Sequence, residues 1–406
     1  MEHLIGGKRI VLGLTGGIAC YKVCDLASHL VQLGARVRVV MTENATRFVG
    51  PVTLRALTGE PVYTDTFGNE EPGGIDHLRL AEFAELLVVA PATADILARM
   101  AHGLADDLLS TTLLSCPAPV LVAPAMESRM WNHPATRANL ELLAERGVHV
   151  LPPETGRLAS GATGAGRLPG REVLVEAIAG VLGAGDLLAG KTVLVTAGPT
   201  REMLDPVRFI SNPSSGRMGF ALARAARRQG AKRVQLVTGP VALTTPLGVE
   251  RHDVTGAEQM LEAVESVAAQ ADLIFAAAAV GDFTPAQAQQ QKIKKEDAGE
   301  LILKLERTPD VLAWLSANRK KGAVVVGFAV ETEREEEHAL AKLEKKALDL
   351  VVLNNPSHAG AGFAGDTNKA VALGPGGLRQ EYALMSKDEL ADKLIELAVI
   401  QTKEKN

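Results

Sequence analysis

The sequence predicts an α/β fold of two Rossmann-like, doubly wound halves in tandem, on the strength of three observations. Short apolar, β-branched runs of the kind that form buried parallel strands alternate with helical stretches along all 406 residues. The plan occurs twice. Strand Lys191–Thr196 with Gly198 repeats strand Arg9–Leu14 with its glycine turn, and Gly230-Ala231 before a strand ending at Thr238 repeats Gly34-Ala35 before one ending at Thr42. The chain is 47% hydrophobic but only 3% aromatic, so Ala, Val, Leu and Gly must fill the interior, as in sheets flanked by closely packed helices. Such a length suits two domains. They join near Gly183-Ala184-Gly185-Asp186, which places the first at 1–185 and the second at 187–406.

In the first half Arg9–Leu14 is a buried strand, and Thr15-Gly16-Gly17-Ile18 turns into a helix that runs to Leu33 and is closed by Gly34. Arg36–Met41 is the next strand. Leu86–Ala90 follows, ending in Pro91-Ala92-Thr93-Ala94-Asp95, and then Val120–Ala123, ending in Pro124-Ala125-Met126. Small and polar residues thus gather beyond the strand ends, where a doubly wound sheet binds its ligand.

The second half opens with Lys191–Thr196 and breaks at Ala197-Gly198-Pro199. Ser214-Ser215-Gly216 leads into an alanine-rich helix, Phe220–Gln229. Its free N–H groups and positive dipole end suit a phosphate or carboxylate, and equally an ordinary cap. Val234–Val237, Asp272–Ala279 and Val324–Gly327 supply further strands. Thr308-Pro309-Asp310 reads as a helix start with Thr as N-cap and Pro in the first turn. Gln401–Asn406 reads as a frayed, charged tail.

A net charge of −5 gives no electrostatic case for nucleic acid. The N-terminus runs almost directly into a strand without a signal-peptide core, and no apolar run reaches transmembrane length, so no membrane association and a cytoplasmic location are expected. Cys20, Cys24 and Cys116 are too few for a disulfide framework, and Cys20 and Cys24 read as buried small residues rather than metal ligands. Neither glycine-rich turn is a G-x-G-x-x-G and no acidic residue closes the second strand, which weakens an NAD reading.

Four first-half motifs stand in order: G-G-I-A-C-Y-K, D-H-L around His77, A-P-A-T-A-D, and P-A-M-x-x-x-M-W. They resemble the flavin-dependent cysteine decarboxylases. T-A-G-P-T-R-E-x-L-D-P-V-R-F-I-S-N, S-S-G-R-M-G and K-I-K-K (Lys292-Ile293-Lys294-Lys295) resemble the partner ligase. Together they cover essentially the whole chain and resemble the bifunctional phosphopantothenoylcysteine decarboxylase/phosphopantothenate–cysteine ligase family of coenzyme A synthesis.

The resemblance implies a flavodoxin-like flavoprotein domain followed by a doubly wound nucleotide-binding ligase domain. In the first it implies FMN held at Gly16, Gly17, Thr42, Pro91, Thr93 and Met126, His77 as the active-site base, and Arg167 on the substrate. Two positions depart from the family pattern. Glu127 stands where the family has an Asn that donates to the substrate carboxylate, and Ser160 where it has a proton-donating Cys. An ionised Glu127 at ~4 Å from that carboxylate is repelled by ~4 kcal/mol at an effective dielectric of about 20. A protonated Glu127 instead donates a hydrogen bond and supplies the proton that Ser160 cannot. A first half that has lost catalysis and survives as a scaffold is the other reading, and a flavin-fold regulatory or interaction protein a third.

In the second half the resemblance implies Asn212 acting on the acyl intermediate, Lys292 as the essential lysine, and Arg208 on the substrate. It places CTP at Ala276, Ala277, Ala278, Asp282, Lys292, Pro309, Asp310, Val311, Leu312, Phe328, Lys342 and Lys346. Without it, K-I-K-K and the Glu331–Lys346 run read as solvated charge. The implied substrates are CTP, 4′-phosphopantothenate and cysteine, joined through an acyl-cytidylate, with Mg²⁺ compensating the triphosphate through ligands left unassigned. The implied assembly is a homo-oligomer of decarboxylase trimers and ligase dimers, a dodecamer.

Overall fold

The computed structural model describes residues 1–67, 75–294, 301–330, 334–355, 362 and 365–404. Lys295, Gly73, Gly74, Glu331 and the last two residues of the tail lie outside these. The chain divides into two compact units, Met1–Gly183 and Ala184–Asn406. Residues 184–186 pack with the second unit, where the Gly185 N–H donates to the Arg228 carbonyl.

The first unit carries strands β1 (Arg9–Leu14), β2 (Arg36–Met41), β3 (Val62–Tyr63), β4 (Leu86–Ala92), β5 (Val120–Pro124) and β6 (His149–Val150), with a separate hairpin of β7 (Glu154–Arg157) and β8 (Thr163–Arg167). The sheet order is β3-β2-β1-β4-β5-β6 and every pair is parallel. A parallel sheet covered by helices on both faces buries its strands completely, which is why these strands read as unbroken apolar runs: β4 is buried at every residue. The order reverses between β1 and β4, and this opens a crevice beyond their carboxyl ends.

The second unit carries β9 (Thr192–Ala197), β10 (Arg201–Met203), β11 (Phe209–Ser211), β12 (Arg233–Thr238), β13 (Glu250–Asp253), β14 (Leu273–Ala276), β15 (Phe283–Pro285), β16 (Leu305–Arg307), β17 (Val324–Val330), β18 (Leu350–Asn354), β19 (Thr367–Leu373) and β20 (Arg379–Ser386). Its main sheet runs β13-β12-β9-β14-β17-β18-β19-β20, parallel as far as β18 and antiparallel at β19 and β20. One core lies between this sheet and helices Arg217–Arg228 and Lys387–Glu404. Another lies under Ala257–Ala268, Val311–Asn318 and Glu335–Lys345.

Four sequence expectations change here. The strand expected over Asp272–Ala279 is regular only to Ala276, where its pairing with β17 ends; beyond it the Ala277 and Ala279 N–H groups still follow the chain after β9, onto the carbonyls of Thr196 and Gly198. The helix expected to begin at Phe220 begins at Arg217, directly after Gly216. Thr308 is not an N-cap: its hydroxyl donates to the Gly281 carbonyl, and Asp310 caps the helix by accepting from Ala313 N–H at 2.9 Å. Gln401–Glu404 are not frayed but complete the last helix, with Thr402 buried and donating to Ala398.

Candidate active sites

In the first unit the turns after β1 and β4 are tied together. The Thr15 hydroxyl donates to the Pro91 carbonyl at 2.6 Å and accepts from Thr93 N–H at 3.1 Å. A Cβ on Gly17 would stand 3.7 Å from Pro91 and 3.9 Å from Thr93, so these three residues border one small space. Gly16 admits no side chain at all, since a Cβ there would lie 2.5 Å from that of Asn44. Thr42 and Thr93 cap the helices Glu43–Thr46 and Ala94–His102. Met126 N–H donates to the Gly166 carbonyl of the β7–β8 hairpin at 3.0 Å, and the Ser128 hydroxyl donates to Ala165 at 2.7 Å.

His77 sits in the first turn of helix Asp76–Phe83, and its buried Nδ1 has no partner among the described residues. Glu127 is the N-cap of helix Ser128–Trp131, its Oε2 accepting from Arg129 N–H at 2.6 Å. Ser160 is exposed at the tip of the β7–β8 hairpin, and Arg167 is exposed at its base with its guanidinium over Gly156. Small residues, capped helix starts and two strand-end turns tied to one another by Thr15 fit the phosphate and ring of a flavin.

The second unit opens at the carboxyl ends of β9, β14 and β17 into a cavity of about 830 Å³. Of the residues expected on the nucleotide, Ala276, Ala277, Ala278, Asp282, Pro309, Asp310, Val311, Leu312, Phe328, Lys342 and Lys346 all line it, and so does Asn212. Gly216 and Gly198, both at positive φ, lie back to back beside it: a Cβ on Gly216 would be 3.4 Å from the Gly198 Cα. Helix Arg217–Arg228 starts there with no side-chain cap, so its first N–H groups face the opening.

The polar groups of this cavity are partly held by one another. Lys342 Nζ donates to the Phe328 carbonyl at 2.6 Å, and Lys346 pairs with Asp310 at 2.9 Å. Burial alone would raise the Asp310 carboxyl, but Ala313 N–H and Lys346 outweigh it and hold it below the usual range. Asn212 Nδ2 donates to the carbonyls of Ala279 and Val280 at 3.2 Å each.

Lys292 and Arg208 are not among the lining residues. Arg208 instead joins Asp205 at 2.6 Å and donates to the Ile293 carbonyl, while Ile293 N–H donates to Asp205. Burial pushes the Asp205 carboxyl up, yet the Arg208 side chain and three backbone N–H groups hold it far below the carboxylate range. This knot fastens the exposed lysine loop by the residue next to Lys292.

Sequence reasoning missed Asp205 in that role, although a D-P-V-R turn with a side chain free to cap it was visible. It also missed Arg217, Asn368 and Lys387 in the cavity wall. Asn368 enters from the antiparallel strand β19, far along the chain, and no local pattern announced it.

Two family models match the chain: one described as Flavoprotein over residues 1–183, and one described as DNA/pantothenate metabolism flavoprotein C-terminal domain over residues 188–401. The Coenzyme A biosynthesis bifunctional protein CoaBC of Bacillus subtilis is 45% identical across 97% of both chains. That of Mycobacterium tuberculosis is 45% identical across 98% of both. A solved C-terminal domain of such a protein is 35% identical, covers 54% of this chain and all of its own, and superposes with a TM-score of 0.46.

Proposed function

The chain belongs to the family of bifunctional coenzyme A biosynthesis proteins, and from that premise we propose that it catalyses two consecutive steps of the route in the cytoplasm. The second unit ligates cysteine to 4′-phosphopantothenate at the expense of CTP, and the first decarboxylates the product. The observation that carries the ligase reading is the single cavity in which Asn212, Asp282, Asp310, Phe328, Lys342 and Lys346 meet.

The small side chains of Ala276–Ala278 let the nucleotide approach the backbone. The uncapped start of helix Arg217–Arg228 and the two lysines offset its phosphate charge; Mg²⁺ would add to this when bound, although no cluster of three His, Cys, Asp or Glu stands ready for it among the described residues. The substrate carboxylate attacks the α-phosphate, pyrophosphate leaves, and the cysteine amine then displaces CMP from the acyl-cytidylate. Asn212 holds the acyl end, and Lys292, on its fastened loop, adds positive charge to the reacting phosphate.

In the first unit Gly16, Gly17, Thr42, Pro91, Thr93 and Met126 hold FMN, which when bound supplies two-electron oxidation and reduction of the substrate's sulfur-bearing end. His77 serves as the base that takes the substrate's proton. Arg167 binds the substrate, and Glu127, when it carries a proton, donates to its carboxylate. A homo-oligomer of decarboxylase trimers and ligase dimers follows from the same family likeness. The test is product analysis by mass spectrometry of purified protein supplied with phosphopantothenate, cysteine, CTP and Mg²⁺. Phosphopantetheine, CMP and carbon dioxide are expected, and absence of phosphopantothenoylcysteine and its decarboxylated product refutes the reading.

A further inference from the structure

Beyond the backbone N–H groups at the start of helix Arg217–Arg228, the ligase cavity has a second side whose side chains the nucleotide reading does not use. Asp310, Lys342 and Lys346 belong to elements on one face of the sheet, whereas Arg217 and Lys387 begin the two helices packed on the other. Between them Asn368 stands near the start of β19, where this antiparallel strand reaches the carboxyl edge of its parallel neighbours. Thr367 pairs with Ser386 and Asn368 with Met385, so Asn368 and Lys387 are diagonal neighbours, with Cβ atoms about 7 Å apart.

Asn368 is 4% exposed and lines the cavity, and its Oδ1 has no hydrogen-bond partner among the described residues. A buried acceptor without a donor is costly, and a donor arriving in the cavity offsets that cost. Beside it is positive charge: Lys387 Nζ donates to the neutral carbonyls of Gly365 and Gly362, while Arg217 pairs with Asp366. Among these described residues, two cations stand against one carboxylate, Asp366.

We propose that this corner is the amino-acid subsite of the ligase, in which Asn368 Oδ1 accepts from the amine of the incoming cysteine and the charge at Lys387 attracts its carboxylate. The inference rests on the ligase reading above. An acceptor next to a cation matches an amine and a carboxylate on one carbon. Cytosine's exocyclic amine has no anion beside it, and the carboxylate of pantothenate is masked once it is activated.

In the step itself the amine nitrogen forms the new C–N bond with the acyl carbon. The acyl C–O bond breaks, and CMP leaves with its electron pair. One proton leaves the ammonium before attack and a second leaves the adduct, both to water. Asn368 takes no proton; it holds an N–H and thereby aims the nitrogen lone pair.

The experiment compares full-length wild type, Asn368→Ala and Asn368→Asp in two assays. One is phosphopantothenate-dependent exchange of labelled pyrophosphate into CTP without cysteine. The other is ligation against cysteine, and against cysteamine, which keeps the amine and thiol but lacks the carboxylate. Exchange should stay within about twofold in both variants, which also shows that they fold. The KM for cysteine should rise about 10–100-fold in Asn368→Ala, the loss of one hydrogen bond to a charged group. It should fall between those of wild type and Asn368→Ala in Asn368→Asp, whose oxygens still accept but whose charge offsets that of Lys387. Wild type should take cysteamine with a KM at least about tenfold above that for cysteine.

Exchange lost along with ligation would put Asn368 on the nucleotide and overturn the proposal. So would an unchanged cysteine KM, an aspartate variant worse than the alanine one, or equal use of cysteamine. No exchange in the wild type would overturn the ligase reading, and the subsite with it.

Discussion

Helix Arg217–Arg228 forms one wall of the ligase cavity, and its position is set by Gly219. A methyl group there would lie 2.5 Å from the Ala197 Cβ and 3.1 Å from both the Ala197 Cα and the Thr196 carbonyl oxygen. Carbon atoms rest about 3.5–4.0 Å apart, so Gly219→Ala asks for an ångström or more of movement. What it strikes is the backbone of central strand β9, which cannot yield, so the helix must.

Overpacking of this kind costs about 1–3 kcal/mol, or about 2–12 °C in melting temperature for a unit of this size. A shift of about 1 Å at the cavity wall lowers ligation about 10²-fold. Gly327→Ala serves as the comparison. Its methyl would meet the Leu348 Cδ1 at 2.7 Å, the far end of a side chain that can rotate, so it should cost less. Calorimetry and ligation assays on both variants, with decarboxylation of supplied phosphopantothenoylcysteine as internal control, check this. A Gly219→Ala protein that melts within 1 °C of wild type, in the order of the 2 °C lower bound, and ligates normally refutes the packing argument.

Purified full-length protein should be yellow, and substitution of Gly17 by Val should remove the flavin without lowering ligation, as absorbance and product assays would show. Lys292→Gln should slow acyl-cytidylate formation. Asn212→Asp, which sets a carboxylate against the carbonyls of Ala279 and Val280, should let the intermediate accumulate, visible after acid quench. Losing one such donor costs about 10²–10³ in rate. Asp205→Asn should loosen the lysine loop and destabilise the second unit. Because the folded carboxyl is depressed, Asp205 stabilises above its unfolded pKa and stops doing so as pH falls through its folded value. The difference in stability from wild type should therefore be constant from neutral pH down to about 5 and shrink in stronger acid, as denaturation at several pH values would reveal.

The two sheets were legible because parallel strands buried on both faces leave unbroken apolar runs, as in Leu86–Val89 and Val324–Val326. That residues Ala276–Ala278, Asp282 and Pro309–Leu312 share one cavity was legible too, since they stand in local turns at strand ends. Thr308-Pro309-Asp310 misled because two adjacent residues can cap. Which one does depends on the Gly281 carbonyl, 27 residues earlier, that engages the Thr308 hydroxyl. The far side of the cavity was not legible. Asn368 and Lys387 meet Arg217 only through the pairing of β19 with β20 and the packing of two helices distant in sequence. The grip of Arg208 on Asp205 and on Ile293, 85 residues later, was not legible either, because the lysine loop meets it only in the fold.

Glu127 and Ser160 stand where the family keeps Asn and Cys, and the structure separates the positions. Gly166 and Ala165 hold the base of the hairpin against Met126 and Ser128, while Ser160 rides at its tip, three residues beyond Thr163. The glutamate caps helix Ser128–Trp131, with Oε2 accepting from Arg129 N–H. That contact is compatible with a protonated acid, because the carbonyl oxygen of a carboxylic acid accepts while its hydroxyl donates from Oε1. Glu127→Gln keeps both contacts, an acceptor for Arg129 and a donor for the substrate carboxylate, and loses only the transferable proton. It should therefore bind substrate, release carbon dioxide and stop before the final reduction, leaving oxidised enethiol product under anaerobic conditions. Ser160→Ala should change little. Glu127→Ala should weaken substrate binding as well, since cap and donor both go. Mass spectrometry of the anaerobic products decides among these, and full turnover by Glu127→Gln excludes Glu127 as the acid.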